Sequence, residues 1–501
     1  MQEREQWVSK LGFILATAGS AVGLGNIWKF PGKVGAYGGG GFILCYILIV
    51  LLIGFPIMLA ELSIGRATQK NSVGAFRSLN KHWAFVGWIG QIALFVIMSY
   101  YCVVGGWMMK YIVAYIADPV FKAGAYRDYF VNFISEPVEP LLWAAAFFGI
   151  CVFIIGRGVT KGIESVSKFL MPVLFLLLVA CVVRAVTLPG AGEGIAFMLR
   201  VDLSQITADT LIAALGQAFF SLSVGMGILL TYGSYLPKKE NMITSAAVIC
   251  GLDTLVAVLA AFAIIPMVFV TLGADGLGMG GGFAFMALPA VFDGIPGGQI
   301  LGAVFFMLLF LAALTSAISI LETCVAFMTE EWHLSRGKAM ALFALPMAFF
   351  SAGYSLSQDG SRGINLPWFD FTNGVQMLPM NAVMERLTDN LLIPLGALCM
   401  CIFTGWNHLR RALRFPLPPH LVRHDPVPGS CRHYSDPVLH PLEGPDAVLI
   451  PAFVALRIVL QKAGPCSTSE HGPAFVYAIF AAVRRGQIRT SGRSSSGSGP
   501  L

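Results

Sequence analysis

Long apolar runs separated by short charged connections make up most of the chain. Ten runs stand out: residues 11–36, 41–65, 86–117, 140–156, 168–187, 209–235, 241–271, 297–328, 337–353 and 386–407. A helix needs about 20 apolar residues to cross a bilayer, so this pattern predicts an all-α membrane protein. Lys and Arg then orient it. Arg66, Lys70, Arg77 and Lys81 follow run 2. Arg157, Lys161 and Lys168 follow run 4, Lys238 and Lys239 run 6, Arg336 and Lys338 run 8, and Arg410, Arg411 and Arg414 run 10. The connection between runs 7 and 8 has Asp275 and Asp293 and no base. The positive-inside rule places the N-terminus and the end of run 10 in the cytoplasm.

Two runs are interrupted at mid-span. Run 1 reads Ala18-Gly19-Ser20-Ala21-Val22-Gly23-Leu24-Gly25-Asn26, and run 6 reads Ser221-Leu222-Ser223-Val224-Gly225-Met226-Gly227. Each opens a block of five runs, and the two blocks enter the membrane from opposite sides. This predicts a five-plus-five inverted repeat with broken helices 1 and 6, the pattern that marks a transporter's midplane site. Glycines that only let helices pack closely would leave the same trace. The expected organisation is a cytoplasmic segment 1–10, a first repeat 11–187, an extracellular loop 188–208, a second repeat 209–407 and an atypical tail 408–501.

Composition narrows the class further. The chain is 56% hydrophobic and 12% charged, half the charge of soluble globular proteins at about 25%. Basic residues sit singly in loops, which argues against nucleic-acid partners. Eight of the ten cysteines lie inside apolar runs and read as small buried hydrophobes rather than a disulfide framework or a zinc site. No small-residue cleavage site follows Met1–Lys10.

Unwound helices free carbonyls for a cation and expose N-termini to an anionic group. Asn26, Ser221, Asp253 and the pair Thr315-Ser316 lie near the breaks or at mid-span. A carboxylate at membrane depth suggests function, with a cation as partner. Hydroxyl, amide, carbonyl and carboxylate oxygens favour sodium over a transition metal. Thr315-Ser316 bonded to their own helix, or Asp253 in a structural pair, are the alternatives.

Several stretches carry a family resemblance: Arg4-Glu5-Gln6-Trp7, Ala21-Val22-Gly23-Leu24-Gly25-Asn26-Ile27-Trp28-Lys29-Phe30-Pro31, Gly38-Gly39-Gly40-Gly41-Phe42, Glu61-Leu62-Ser63-Ile64-Gly65-Arg66, Gln217-Ala218-Phe219-Phe220-Ser221 and Leu314-Thr315-Ser316. Over about residues 3–410 the chain resembles the neurotransmitter:sodium symporter family, on its bacterial, leucine-transporter-like amino-acid side. The resemblance implies two sodium sites and no organic cofactor. The first would use Ala21, Asn26, Ser221, Asp253 and the substrate carboxylate. The second would use the carbonyls of Gly19, Val22 and Ala312 with the hydroxyls of Thr315 and Ser316. The amino acid would lie among Gly23, Gly25, Ile97, Tyr101, Phe220, Ser223, Gly225, Met226 and Ile320. Glu61 would hydrogen-bond the unwound part of run 6. Lys29 would face Glu385, chosen over Asp389 by its spacing to Pro394, across the outer vestibule, Gln217 and Phe220 would cover the site from outside, and Arg4 and Trp7 would meet Glu330 and Tyr235 inside.

The implied activity is sodium symport of a bulky hydrophobic or aromatic amino acid into the cytoplasm, across a bacterial inner membrane, with lipid around it. Asp253 and Ala257 stand where chloride-binding members have Asn and Ser, so chloride independence is expected. A sodium-dependent sensor or transport-inactive homologue is the competing class. Enzymes are a weaker third, since no nucleophile–base pair, P-loop or metal motif occurs. Beyond about Phe415 the resemblance stops. Five of the eight His and twelve of the 27 Pro fall there, which suggests a disordered tail or a degenerate eleventh span over Asp446–Lys462.

Overall fold

The computed structural model describes residues 5–119, 121, 124–237, 240–273, 283–358, 364–370 and 374–412. Arg4, Lys238, Lys239, Asp275 and the tail from residue 413 lie outside the described residues.

Helices occupy all ten predicted runs. Run 1 is α1 (Lys10–Ala21), a π-helical turn over Gly25–Lys29, and α2 (Phe30–Ala36). Ser9 starts α1 by accepting the Gly12 N–H. The helix stops at Ala21, and the pieces on either side meet at a 49° bend. Local chemistry accounts for the stop. Three glycines lower helix propensity, and the Asn26 Oδ1 accepts the Gly23 N–H at 3.2 Å, offering the backbone a partner outside the helix ladder.

Run 2 is α3 (Gly40–Ile49) and α4 (Phe55–Thr68), continuous through a π-turn, with α5 (Ser72–Leu79) after it. Run 3 is α6 (Ala84–Ala117). The short α7 (Tyr126–Ser135) precedes run 4, α8 (Glu139–Gly156). Run 5 is α9 (Ser165–Val186), followed by α10 (Gly192–Leu199). Run 6 splits into α11 (Ala208–Ser221) and α12 (Ile228–Ser234). Between them Ser223, Gly225 and Gly227 take φ values of 54°, 83° and 81°, which no helix tolerates. Run 7 is α13 (Met242–Leu272), then α14 (Phe283–Asp293) leads to run 8, α15 (Gly298–Glu331), and run 9, α16 (Arg336–Leu356). Run 10 is α17 (Met380–Arg386), a π-turn over Leu387–Leu392, and α18 (Ile393–Ala412).

Among the described residues, eight helices are long and apolar enough to cross a membrane, and the bent pair α1–α2 makes a ninth. The split run 6 falls outside that count because neither half is long enough. One correction to an all-helical reading is β1 (Asn365–Asp370) and β2 (Gly374–Pro379), an antiparallel hairpin between α16 and α17 that pairs Pro367 with Met377 and Trp368 with Gln376. Gly374, at φ 74°, opens its second strand.

Uniformly apolar helices can face either protein or lipid, and packing decides which. The most apolar windows of α6 and α15 are each 83% buried, whereas that of α9 is 28% buried. The first two form the scaffold around the breaks. Glycine permits the closest approaches. A Cβ on Gly106 of α6 would sit 2.6 Å from the Ala144 nitrogen of α8, and one on Gly233 of α12 would sit 2.7 Å from the Leu62 carbonyl of α4.

Candidate functional site

Four side chains from four helices gather at the first break. Asp253, fully buried on α13, accepts from Asn26 Nδ2 at 2.7 Å and from Ser221 Oγ at 2.8 and 2.9 Å. The Tyr46 hydroxyl of α3 donates to Asp253 Oδ2 at 3.2 Å and lies as close to Ser221 Oγ. The Asp253 carbonyl also accepts Asn26 Nδ2 at 3.1 Å. These oxygens are hard ligands around one carboxylate, the donor set that suits sodium. Ala21 lines the cavity next to them.

The second set lies where α15 passes α1. The Thr315 hydroxyl donates to the carbonyls of Leu311 and Ala312, each at 3.1 Å. Ser316 Oγ donates to the Ser20 carbonyl at 3.1 Å and reaches the Val22 carbonyl at 3.5 Å. Gly19 faces Thr315, whose Cβ would be 3.3 Å from a Cβ on the glycine. The sequence alternatives are therefore not exclusive here. Thr315 bonds back to its own helix, while Ser316 crosses to the broken one.

A cavity opens between the two sets, enclosing about 370 Å³ including its open mouth. Six residues expected around a substrate line it: Ile97, Tyr101, Phe220, Ser223, Met226 and Ile320. The expected glycines border it. Gly23 packs on Ser316 and Tyr101, and Gly25 on the Phe220 ring. The Tyr101 hydroxyl meets the Leu24 N–H at 3.5 Å. Gly225 donates its N–H to Glu61 Oε1 at 2.5 Å, and its own positive φ and close approach to Ala397 leave no room for a side chain. Ser223 holds a left-handed φ of 54° that glycine would adopt more readily. Its hydroxyl donates to the Ser20 carbonyl at 3.3 Å.

Where α11 meets the break in run 1, Gln217 Nε2 donates to the Gly25 carbonyl at 2.7 Å, and Lys29 Nζ sits 4.0 Å above the Phe220 ring. Lys29 pairs with Asp389 at 2.7 Å, not with Glu385, which instead accepts from the Tyr354 hydroxyl at 2.7 Å. The physical reason is the π-turn over Leu387–Leu392, which carries Asp389 and alters the rotation per residue from that of an α-helix.

Just before α1, Trp7 donates its indole N–H to the Tyr232 carbonyl at 3.0 Å and its backbone N–H to the Tyr235 carbonyl at 3.2 Å. The Tyr235 hydroxyl donates to Glu322 at 2.8 Å, and Arg336 pairs with the same Glu322. Glu330 accepts from the Asn71 backbone at 2.8 Å. Sequence reasoning missed Tyr46, Ser20, Ile228 and the Glu322–Arg336 pair, and by spacing it preferred Glu385 to Asp389. Only the acids and the arginine carried a signal, as charges inside or beside apolar runs.

Oxygen atoms collected at interrupted mid-membrane helices, with closing contacts on either side, mark a secondary transporter. The comparisons agree. The Sodium:neurotransmitter symporter family matches residues 4–122 and 134–393. An uncharacterized sodium-dependent transporter of Bacillus subtilis, YhdH, is 37% identical over 406 residues, covering 80% of this chain and 88% of its own. The human sodium- and chloride-dependent GABA transporter 2 is 27% identical over 384 residues, covering 67% of this chain and 64% of its own. The crystal structure of MhsT in complex with L-phenylalanine superposes with a TM-score of 0.76 at 36% identity, covering 92% of this chain and all of that one. The chain belongs to the sodium:neurotransmitter symporter family, a family of secondary transporters and not of enzymes.

Proposed function

We propose that this transporter carries a bulky hydrophobic or aromatic amino acid inward together with sodium, by alternating access and without chloride. It would sit in a bacterial inner membrane with its N-terminus in the cytoplasm. The observation that carries the reading is the buried Asp253 carboxylate, ringed by Asn26, Ser221 and Tyr46 beside the cavity. A sodium ion at Ala21, Asn26, Ser221 and Asp253 would touch the carboxylate of an amino acid lying against Gly23, Gly25 and Tyr101. Each ligand then raises the other's affinity by the same factor, and this reciprocity couples the two fluxes. A second sodium at Gly19, Val22, Ala312, Thr315 and Ser316 would brace α1 against α15.

The cavity wall supports the substrate class. Ile97, Phe220, Met226, Ile228 and Ile320 are apolar, and the Met226 thioether adapts to different shapes. The similar MhsT was crystallised with L-phenylalanine. Uptake into proteoliposomes under an imposed sodium gradient tests the reading. Accumulation of Leu, Met, Phe, Tyr or Trp is expected. Binding without accumulation would favour a sensor, and strong competition by Gly, Asp or Lys alone would overturn the substrate class.

A further inference from the structure

The hairpin β1–β2 turns an apolar face outward. Successive strand residues point to opposite sides, so its odd-numbered side chains share one face. The register sets Pro367 opposite Met377 and Phe369 opposite Val375. Pro367 is exposed, and Phe369, Val375 and Met377 are between 60% and 70% exposed. The even-numbered face turns inward. Leu366, Trp368, Gln376 and Leu378 are half-buried, and Leu366 packs against the core. A hairpin in water normally puts polar side chains on its outer face and charge along its open edges. From Asn365 to Pro379 the one charged residue is Asp370.

The root of the hairpin shows what this face adjoins. Met380, just after β2, donates its N–H to the Ile364 carbonyl, just before β1, at 3.0 Å. Asn381 donates its N–H to Oγ of Ser357, the residue after α16, at 2.9 Å. The Met380 thioether fills the space beside Gly353 of α16 that a side chain would take. Gly353 lies one turn beyond Phe349, which follows Leu342 and Leu345 along one stripe of the helix. Those three side chains are exposed. The helix has 21 residues, and a length of about 32 Å matches the hydrocarbon core of a bilayer. An exposed apolar stripe on such a helix faces lipid. The hairpin springs from the end of that stripe, and its apolar face continues the same surface at the level where aromatic side chains concentrate.

We propose that this face dips into the interfacial layer of the bilayer, where Phe369, Val375 and Met377 meet the boundary between headgroups and acyl chains. The hairpin is then a surface anchor beside the spanning helices. A second copy of the chain is the competing occupant, but two side-chain pairs fall far short of the roughly 20–30 residues a side of a stable protein interface.

The test attaches a spin label to the purified full chain in phosphatidylethanolamine–phosphatidylglycerol vesicles, at Val375→Cys, Gln376→Cys and Met377→Cys in turn. The eight cysteines among the described residues are buried, and Cys431→Ser and Cys466→Ser remove the other two. Phe349→Cys supplies the lipid-facing value. Collisions with dissolved oxygen, which partitions into lipid, are compared with collisions with a water-soluble nickel chelate. The oxygen-to-nickel ratio should stand above one at Val375 and Met377, approach the value at Phe349, and drop at Gln376 between them. Ratios below one at Val375 and Met377 would place the face in water and overturn the proposal. A ratio at Gln376 equal to its neighbours would do the same, since no single face would then meet lipid. Spectral broadening at Val375 and Met377 that grows with the protein-to-lipid ratio would put a second copy there instead of lipid.

Discussion

At the residue scale, the site turns on one carboxylate and its donors. Ser221 gives Asp253 a hydroxyl at 2.8 Å and is itself 1% exposed. Ser221→Ala removes both a proposed cation ligand and a hydrogen bond to a charged group, which is worth about 1.5–3 kcal/mol. Apparent sodium affinity should fall at least about tenfold, read by titrating sodium against substrate binding, while Ser221→Thr should hold it near the unmutated value. Asn26→Ala should weaken sodium dependence as well, and the Gly23 N–H that Asn26 accepts would lose its local partner. Asn26, Ser221, Asp253, Thr315 and Ser316 could all be read from the sequence because polar groups inside apolar runs are conspicuous. Tyr46 could not, because a tyrosine in a membrane helix has an apolar body and gives no sign of where its hydroxyl points. Ser20 was hidden differently. One serine looks like another until the hydrogen bonds of its neighbours are known.

At the element scale, the breaks follow from local chemistry and the gate register does not. Glycine with Asn26 interrupts run 1, and positive φ at Ser223, Gly225 and Gly227 interrupts run 6, all within a few residues of the motif. The acid facing Lys29 depends instead on whether α17 continues as an α-helix or loosens into a π-turn. Glu385 and Asp389 are one turn apart, so sequence spacing could not separate them. The hairpin β1–β2 was missed because Asn365–Pro379 is short and lies between two membrane runs. Packing between elements yields two predictions. Gly65 of α4 abuts the Leu230 carbonyl of α12, with backbone where a methyl would go. Gly65→Ala should cost about 1–3 kcal/mol through overpacking, visible as a lower Tm in detergent. Glu322, fully buried on α15, joins Tyr235 of the proposed inner seal to Arg336, which is 28% exposed. Glu322→Gln should loosen that seal and raise the labelling of a reporter cysteine at Trp7 from the cytoplasmic side. The stability loss should stay below the about 3–5 kcal/mol of a fully buried pair, since water reaches Arg336.

At the scale of the whole molecule, transport requires a charge balance that survives the crossing. With Asp253 in the proposed first sodium set, the loaded site would already contain an anion fixed to the protein. Two unit charges about 4 Å apart interact by about 4 kcal/mol at an effective dielectric of 20, so a chloride drawn close would meet repulsion of that order. Uptake should persist when gluconate replaces chloride at constant sodium. In Asp253→Asn, where the charge is gone and the shape kept, uptake should fall. A large loss on chloride removal in the unmutated protein would contradict this account. The ion pair of Lys29 with Asp389 imposes a further condition on the molecule. Lys29 is both one half of an ion pair with Asp389 and the cation above Phe220, and the pair is about one-third exposed, at 35% and 34%. The Debye length shrinks from about 10 Å at 0.1 M salt to about 3 Å at 1 M, so exposed charge pairs weaken in brine. In the proposed orientation, a lid latched by such a pair would respond to the ionic strength of the outside medium, whichever cation supplies it. On the proposed reading, the organism's surroundings would act on this protein twice, as a source of cargo and as the solvent that sets how firmly its door is held.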